Sequence, residues 1–365
     1  MPTARGEAGA IGVKSHVLYS QMLTADEYYV LLNSNSTAEI TDILRQSEGY
    51  KEHLETLPPA QVHRIDLENA VRAAVLNQAE SFMPYLNAAR RLLFTDWLGW
   101  FEAENLKSVF RWIRSRRLDR DEMRQRLYNV PGSKISYDLL LNSRDYSEAL
   151  GALHDTKYYK VALAPIRRLN DGEESLFSLE LAIDNLIEMS IYKDLQKLPT
   201  AEHKLLTPYF GTRIDLMNLH NFHRCQWYYH MTLEETLSRM LPVKFKVKSH
   251  HLREMAKGTD WEERLDRLEP FFPAYVQIFR EALESGDREL ALENAINRHT
   301  YMKALAIYHT GSPGFHTAMA YFILKSFEVD DVIRIIEDVR YDYDRRSAVQ
   351  YLIRPIFTGG EPKWQ

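Results

Sequence analysis

The eleven residues Ile214–Arg224, with the sequence IDLMNLHNFHR, decide the fold class because they place a polar side chain inside a helical apolar pattern. Ile214, Asn218 and Phe222 follow one another at intervals of four, so on a helix they share one face. The pattern therefore predicts a helix whose core-facing side carries an amide. A buried amide without partners costs about 1–3 kcal/mol, so we expect Asn218 to hydrogen-bond a neighbouring helix.

The same pattern occurs three times along the chain at equal spacing. Phe101–Arg111 has the sequence FEAENLKSVFR, and Phe327–Glu337 has the sequence FEVDDVIRIIE. The acidic residue recurs after 113 positions and again after 113, each time followed three residues later by Asn or Asp. The third copy ends in a glutamate where the first two end in arginine. The repeated polar residues are Glu102, Asn105, Asp215, Asn218, Glu328 and Asp331.

A second set of matches supports this repeat. The sequence Leu-Leu-Asn-Ser begins at Leu31 and again at Leu140, which is 109 residues later. The matched pairs that follow are Glu39 and Glu148, Leu44 and Leu153, Tyr50 and Tyr159, and Leu54 and Leu163. A fainter third copy lies around Leu252–Tyr275, with Glu263 and Leu268 in register.

An internal period near 110 residues predicts three similar units in one chain. Apolar residues at helical spacing dominate, and Thr24 with Glu27 forms a capping box that starts one of the helices. We therefore expect an all-α protein with three similar helical domains around a pseudo-threefold axis. The predicted domains are residues 1–120, 121–237 and 238–365.

Composition excludes several classes of protein. A chain of 365 residues with 45% hydrophobic content is long enough for two or three domains with their own cores. A net charge of −5 provides no basic field for nucleic acid. The single cysteine, Cys225, excludes an intrachain disulfide and a cysteine-based zinc cluster. No run of about 20 apolar residues occurs in the sequence, so we expect no membrane span.

Motifs for catalysis or cofactor binding are absent from the sequence. It has no P-loop, no G-x-G-x-x-G and no G-x-S-x-G. His220 and His223, three residues apart, raise the alternative of a zinc site, but H-E-x-x-H does not occur. The first copy of the repeat has Lys107 and Phe110 at these positions. We therefore expect no catalytic residue, no cofactor and no metal site.

Arginines near the end of the repeated pattern are candidates for contacts with a partner. Arg111 and Arg224 lie nine residues after the acidic residue, which places them on the opposite face of the helix. They are available to another helix or another protein, while a solvated face is the alternative for the basic stretch Arg111–Arg120. The candidate partner-contact residues are Arg111, Arg114, Arg116, Arg117, Arg213 and Arg224.

The order and spacing of these motifs resemble the C subunit of V/A-type rotary ATPases. The corresponding protein of eukaryotic V-type ATPases is called subunit d. VKSHVLYSQMLTADEYYVLLNS, from Val13, is similar to the opening of that family, and FEAENLKSVFRWI and TRIDLMNLHNFHR resemble its acid-Asn-Leu helices. ILKSFEVDDVIRIIEDVRYDYDRRSAVQYLIRP, from Ile323, resembles its closing helix, although Asp331 and Val332 replace the usual Asn-Leu. The resemblance covers about residues 13–355.

This resemblance implies a non-catalytic subunit of the central stalk, in which three helical domains form a funnel. The funnel would join the rotating central shaft to the membrane rotor ring and transmit torque for ATP-linked H⁺ or Na⁺ transport. The expected location is peripheral, at the cytoplasmic face of a membrane, with shaft subunits and ring as partners and no nucleic acid. Two alternatives remain: a helical scaffold that binds a partner along a groove, and a helical metal-dependent enzyme.

Overall fold

The structure is a computed structural model that describes residues 4–55, 57–58, 62–173, 175–283, 288–341, 349 and 351–355. Every regular element in these ranges is helical, and the ranges contain no strand. The all-α prediction is therefore confirmed.

The helices follow one order three times: short helices come first, and two long helices close each repeat. After α1 (Ala4–Ser20), the first repeat contains α2 (Ala25–Leu32), α3 (Thr37–Gln46), α4 (Lys51–Leu54), α5 (Arg64–Phe82), a 3₁₀ turn (Met83–Tyr85) and α6 (Ala88–Ser115). The second contains α7 (Arg120–Gln125), α8 (Tyr137–Asn142), α9 (Tyr146–Ala152), α10 (Tyr158–Asn170), α11 (Leu176–Leu195) and α12 (Thr200–Trp227). The third contains α13 (Leu233–Arg239), α14 (Ser249–Met255), α15 (Trp261–Leu268), α16 (Pro273–Leu283), α17 (Arg288–Tyr308) and α18 (Phe315–Tyr341).

The chain divides into two compact units. One unit comprises Met1–Val75 together with Pro199–Gln365, and the other is Leu76–Leu198. The first unit thus combines the beginning of the first repeat, the last helix of the second repeat and the third repeat. The boundary predicted after residue 120 lies inside the second unit, and the division into three domains stays a prediction.

Side-chain caps set the starts of several short helices. The Thr24 hydroxyl accepts the Glu27 N–H, and the Glu27 carboxylate accepts the Thr24 N–H at 2.6 Å, so the predicted capping box is confirmed. The same reciprocal arrangement starts α7 at Asp119 and α13 at Thr232. These caps satisfy backbone donors that the first helical turn would otherwise leave unpaired.

One glutamate does the same work in all three repeats. It lies three residues after the N-cap residue of α3, α9 or α15, and its carboxylate accepts a backbone N–H from the residue before that cap. The donors and acceptors are Asn35 and Glu39 (2.5 Å), Arg144 and Glu148 (2.8 Å), and Thr259 and Glu263 (2.8 Å). This shared contact confirms the register of the repeat at these positions, including its fainter third copy.

The long helices α6, α12 and α18 carry the repeated acid and amide, and each has 27 or 28 residues. In the second unit, α6 packs along α11. In the first unit, α17 packs against both α12 and α18, and α1 packs against α18. Each acid-bearing helix therefore has one face closed by a second long helix.

Candidate functional site

The six repeated polar residues lie on the buried faces of α6, α12 and α18. None of them exposes more than 9% of its surface, and Asp215 and Asp331 expose none. The burial inferred from the helical pattern around Asn218 is therefore confirmed. Buried polar groups need partners, and these partners define what each residue does.

The two asparagines bind the backbone of a non-helical segment that follows their own helix. Asn105 Oδ1 accepts the Tyr128 N–H at 2.7 Å, and Asn105 Nδ2 donates to the Tyr128 carbonyl at 2.8 Å. Asn218 Oδ1 accepts the Leu241 N–H at 2.8 Å, again 23 positions after the amide. The predicted partner, a neighbouring helix, is wrong, because periodicity shows which face is buried and not which backbone meets it.

Asp331 takes the amide position in the third repeat and binds two donors. Its carboxylate accepts the N–H of Ile353 at 2.6 Å and the N–H of Arg354 at 2.9 Å. A carboxylate accepts at both oxygens, whereas an amide presents an NH₂ group that needs an acceptor. The change from Asn to Asp therefore matches a backbone that offers two donors. Burial raises the pKa of Asp331 to about 6, although both backbone bonds oppose this shift.

The acidic residue of each repeat accepts a hydrogen bond from a tyrosine hydroxyl. The sequence analysis did not identify these tyrosines as its partners. The three pairs are Glu102 and Tyr158 (2.7 Å), Asp215 and Tyr275 (3.5 Å), and Glu328 and Tyr50 (2.9 Å). A tyrosine 56 positions after Glu102 and 60 positions after Asp215 is the sequence signal that could have found two of them.

The alignment paired Tyr50 with Tyr159, but the structure assigns the equivalent role to Tyr158. Tyr158 is 1% exposed and binds Glu102, while Tyr159 is half-buried and its ring lies 5.0 Å from the ring of His154. One residue turns a helix by about 100°, so a shift of one position moves a side chain to another face. An alignment without gaps cannot show such a shift.

Each acid reaches into the repeat that comes next, and the third acid returns to the first repeat. The tyrosine lies 56 positions after Glu102 and 60 positions after Asp215, but 278 positions before Glu328. The N–H of Leu23 also donates to Glu328 Oε2 at 2.8 Å. The contact unit is therefore the acid-bearing helix of one repeat together with the short helices of the next.

Asp215 and Glu328 have further partners of different kinds. Asp215 accepts the N–H groups of Phe245 at 3.1 Å and Lys246 at 2.8 Å, and these bonds oppose the rise in its pKa that burial causes. Glu328 Oε1 instead accepts from Lys325 Nζ at 2.6 Å, and both side chains are buried. Burial lowers the pKa of Lys325, whose ammonium lies 3.7 Å from the ring centre of Tyr50. Lys325 was not among the site residues predicted from the sequence, although its i, i+3 spacing to Glu328 was the available signal.

The arginine that ends the pattern binds a second long helix in the first two repeats. Arg111 forms two bonds with Glu180 of α11, Nε to Oε1 at 2.6 Å and Nη2 to Oε2 at 2.9 Å. Arg224 Nε lies 3.3 Å from Glu289 Oε1 of α17. The sequence analysis left these arginines to another helix or another protein, and the structure places both against another helix.

The third repeat makes the corresponding ion pair with reversed signs. Glu337 stands where the other copies have arginine, and its Oε1 lies 3.2 Å from Arg64 Nη1 of α5. Arg64 Nη1 also lies 3.0 Å from Glu68 Oε1 on its own helix. The substitution at the end of the third copy is thus compensated by the opposite charge on the facing long helix.

The remaining candidate arginines lie in different environments. Arg116 has a backbone φ of +48°, stacks its guanidinium 4.0 Å from the ring centre of Trp112, and donates to the Ser143 carbonyl. It therefore closes the end of α6. Arg213 is half-buried, whereas Arg114 and Arg117 are exposed, and no carboxylate of the described residues pairs with either of these two.

His220 and His223, the two histidines considered for a zinc site, contact other side chains of the protein. His220 Nε2 lies 2.9 Å from Glu289 Oε1, and the ring of His223 lies 4.2 Å from that of Trp261. The described ranges hold no group of three His, Cys, Asp or Glu side chains that could bind a metal ion. Cys225 is buried, and burial raises its pKa to about 11. No helix in the described part of the chain combines the length and apolar character needed to cross a membrane.

Comparison with known proteins agrees with the resemblance seen in the motifs. The model of the ATP synthase (C/AC39) subunit family matches residues 12–351. The C-type subunit of the A-type ATP synthase of Methanosphaera stadtmanae is 23% identical over 288 residues, which are 74% of this chain and 71% of that protein. With the family match extending over nearly its whole length, this chain belongs to the ATP synthase (C/AC39) subunit family.

Proposed function

We propose that this chain is a non-catalytic rotor subunit of a V/A-type ATPase, in which it joins the central shaft to the membrane rotor ring. Family membership supports a subunit of an ATP synthase complex. The observation that carries the finer role is a buried position that recurs three times, as Asn105, Asn218 and Asp331, and each time ties its long helix to a following segment. No nucleotide-binding motif accompanies this arrangement.

A socket that transmits torque must resist deformation between its two contacts. Each acid-bearing helix here is fixed twice, once by the amide position to a following segment and once by the acid to a tyrosine of the next repeat. A third tie, the ion pair to a second long helix, recurs in all three repeats. Satisfied buried polar contacts specify one arrangement of helices, which favours a stiff body.

Three similar domains arranged as a funnel around a pseudo-threefold axis are part of this proposal. The three-times-repeated order of helices supports it. In this proposal, each domain joins an acid-bearing helix to the short helices of the next repeat. The compact unit Leu76–Leu198, which contains the helices α6–α11, supports such a grouping.

The proposed partners are shaft subunits and the rotor ring, with the protein held peripherally at the cytoplasmic face of the membrane. Arg114 and Arg117 are sequence-predicted contact residues that stay exposed, and no carboxylate among the described residues pairs with them. They would meet acidic groups of a partner, since Arg binds carboxylates through a planar fork. Each exposed pair contributes only about 0–1 kcal/mol, so the contact must use several.

The proposal is tested by removing the gene and assaying native membranes. We expect ATP hydrolysis to continue while ATP-driven ion transport is lost, because the shaft would turn without driving the ring. Expression of the wild-type chain from a plasmid should restore transport, and the purified chain alone should not hydrolyse ATP. ATP-driven transport that persists in the deletion strain would rule out the rotor role.

A further inference from the structure

Residues Tyr351–Arg354, which we call the strap, are held from two long helices of the first unit. Arg334 of α18 donates to the Tyr351 carbonyl, and Arg298 of α17 donates to the Leu352 carbonyl at 2.8 Å. Asp331 accepts the next two N–H groups along the strap. Both faces of this backbone are therefore bonded to side chains that a helix holds in place.

The strap in turn holds the segment that precedes α2. The Arg354 guanidinium donates to the carbonyl of Leu23, which lies 331 positions earlier in the sequence. Glu328 accepts the N–H of the same residue, so both backbone polar groups of Leu23 are bound from the side of α18 and the strap. Arg354 also lies 5.1 Å from the ring centre of Tyr28. Leu23 itself is 1% exposed.

In the other two repeats, the segment equivalent to the strap continues along the chain into the helix equivalent to α2. The segment bound by Asn105 at Tyr128 leads directly into α8, and the segment bound by Asn218 at Leu241 leads into α14. In the third repeat, the strap does not lead into α2, and the side chain of Arg354 makes the connection instead. We call the contact of the strap and α18 with the segment before α2 the seam. It depends on noncovalent contacts, whereas its two counterparts have a continuous backbone.

The seam also contains a buried lysine at a position where both counterparts have an uncharged residue. Lys325 is fully buried against Glu328, while the positions 113 and 226 residues before it are Thr212 and Gly99. Burying an ion pair removes hydration from both groups, and they recover that hydration when the contact opens. Opening an interface built from such groups therefore costs less free energy than opening one built from apolar side chains of the same size.

We propose that the strap and Arg354 form a latch, and that the segment from Leu23 through α2 opens from α18 as one unit when the latch releases. The opening leaves the second unit folded, because none of the latch contacts belongs to it. In the first unit, the segment from Leu23 through α2 can then separate from α18 by releasing noncovalent contacts alone. It does not depend on the proposed role in a rotor.

Hydrogen exchange followed by mass spectrometry on the full chain tests the latch. In Arg354→Met, we expect amides of residues 23–32 to exchange about tenfold faster or more, since a hydrogen bond from a charged donor is worth at least that factor. Residues 137–142 of α8, the matched helix of the second unit, should exchange at the wild-type rate. Arg354→Lys, which keeps a charged donor, should recover part of the protection.

Asn105→Ala is the matched control, because it releases the corresponding segment in the second unit. It should speed exchange at Tyr128 and α8 and leave residues 23–32 unchanged. Arg354→Met would overturn the latch if residues 23–32 kept the wild-type rate, or if α8 accelerated by the same factor.

A measurement on the wild-type chain keeps the test independent of how the variants fold. Exchange of residues 23–32 is followed at increasing urea concentrations below the unfolding transition. A separate opening predicts a lower opening free energy and a weaker dependence on urea than for the buried amides of α18, because little surface is exposed. Equal free energies and equal urea dependence in the two segments would show that no separate opening exists.

Discussion

Asn105 and Asp331 occupy the same position of the repeat, yet they hold their segments by different chemistry. Asn105 meets one N–H and one carbonyl of Tyr128, whereas Asp331 meets two N–H groups of the strap. Both are buried, with exposed fractions of 1% and 0%. The difference teaches that the repeat preserves the position and its burial, while the facing backbone determines the side-chain type.

The acidic positions differ in the same way. Glu102 accepts from a tyrosine, while Glu328 accepts from a tyrosine, a backbone N–H and a buried lysine. The third repeat is thus the charged version of a contact that the first repeat makes with fewer ions. Changes that remove one charge should therefore affect the third repeat most.

The largest effect is expected from Lys325→Met, which leaves Glu328 buried without its cation. Breaking one side of a buried ion pair lowers the free energy of unfolding by about 3–5 kcal/mol. Lys51→Met is the matched control, because Lys51 and Glu48 have the same 2.6 Å distance and three-residue spacing in an exposed site. That change should leave the free energy of unfolding nearly unchanged, because solvent screens an exposed ion pair. Urea unfolding followed by circular dichroism measures both, and equal losses would contradict the role of burial.

A smaller effect separates the two asparagines. Asn105→Leu removes two hydrogen bonds, those to the N–H and the carbonyl of Tyr128, while Asn218→Leu removes one, that to the N–H of Leu241. Asn218 Nδ2 has no hydrogen-bond partner among the described residues. Each unpaired buried group costs about 1–3 kcal/mol, so Asn105→Leu should destabilise more than Asn218→Leu. Thermal melting ranks the two variants, and the reverse order would show that a different contact dominates.

The smallest effect is a change with pH that arises at the amide position, where only the third repeat has a titrating side chain. The pKa of Asp331 is raised from 3.8 to about 6, so the folded state binds a proton more tightly than the unfolded state does. The contribution of this group to stability is full below about pH 4 and is lost as pH rises through about 6. Asp331→Asn removes that loss, although its NH₂ group would face a backbone donor.

The measurement compares Asp331→Asn with the wild type in urea at several pH values between about 4 and 7, the range that brackets the shifted pKa. The free energy of unfolding of the variant should increase relative to that of the wild type as pH increases. Any loss from the missing acceptor lowers the variant's free energy of unfolding by the same amount at every pH. Asn105→Asp provides the converse control, because it introduces a titrating group at the matched position. A wild-type-to-variant difference that stays constant across this range would mean that Asp331 does not titrate as stated.

The sequence alone was sufficient for the repeat, the all-α class and the capping box at Thr24. These features are local: helical periodicity, caps and the 113-residue spacing of the acids can be read directly along the chain. The burial expected of Asn218 also followed from its apolar neighbours four positions away. Local signals of this kind survive in the folded protein because the helices themselves form from them.

The partners of the repeated residues could not be inferred in this way. Asn105 binds a loop backbone rather than a helix, and Tyr158 takes the place that the alignment gave to Tyr159. Arg354 reaches Leu23 across 331 positions. Such contacts depend on how whole helices pack, and a shift of one residue changes the face that a side chain presents.

The charged residues show the same difference between what local sequence predicts and what tertiary packing decides. The sequence identified the candidate arginines, but only packing decided that Arg111 and Arg224 bind a facing helix while Arg114 and Arg117 stay exposed. Packing also explains Glu337, whose reversed charge is matched by Arg64 on a helix far earlier in the chain. The sequence determines which helices form and which faces are apolar, because these properties are local. Tertiary structure decides which charges meet, because an ion pair requires two helices to lie within a few ångströms.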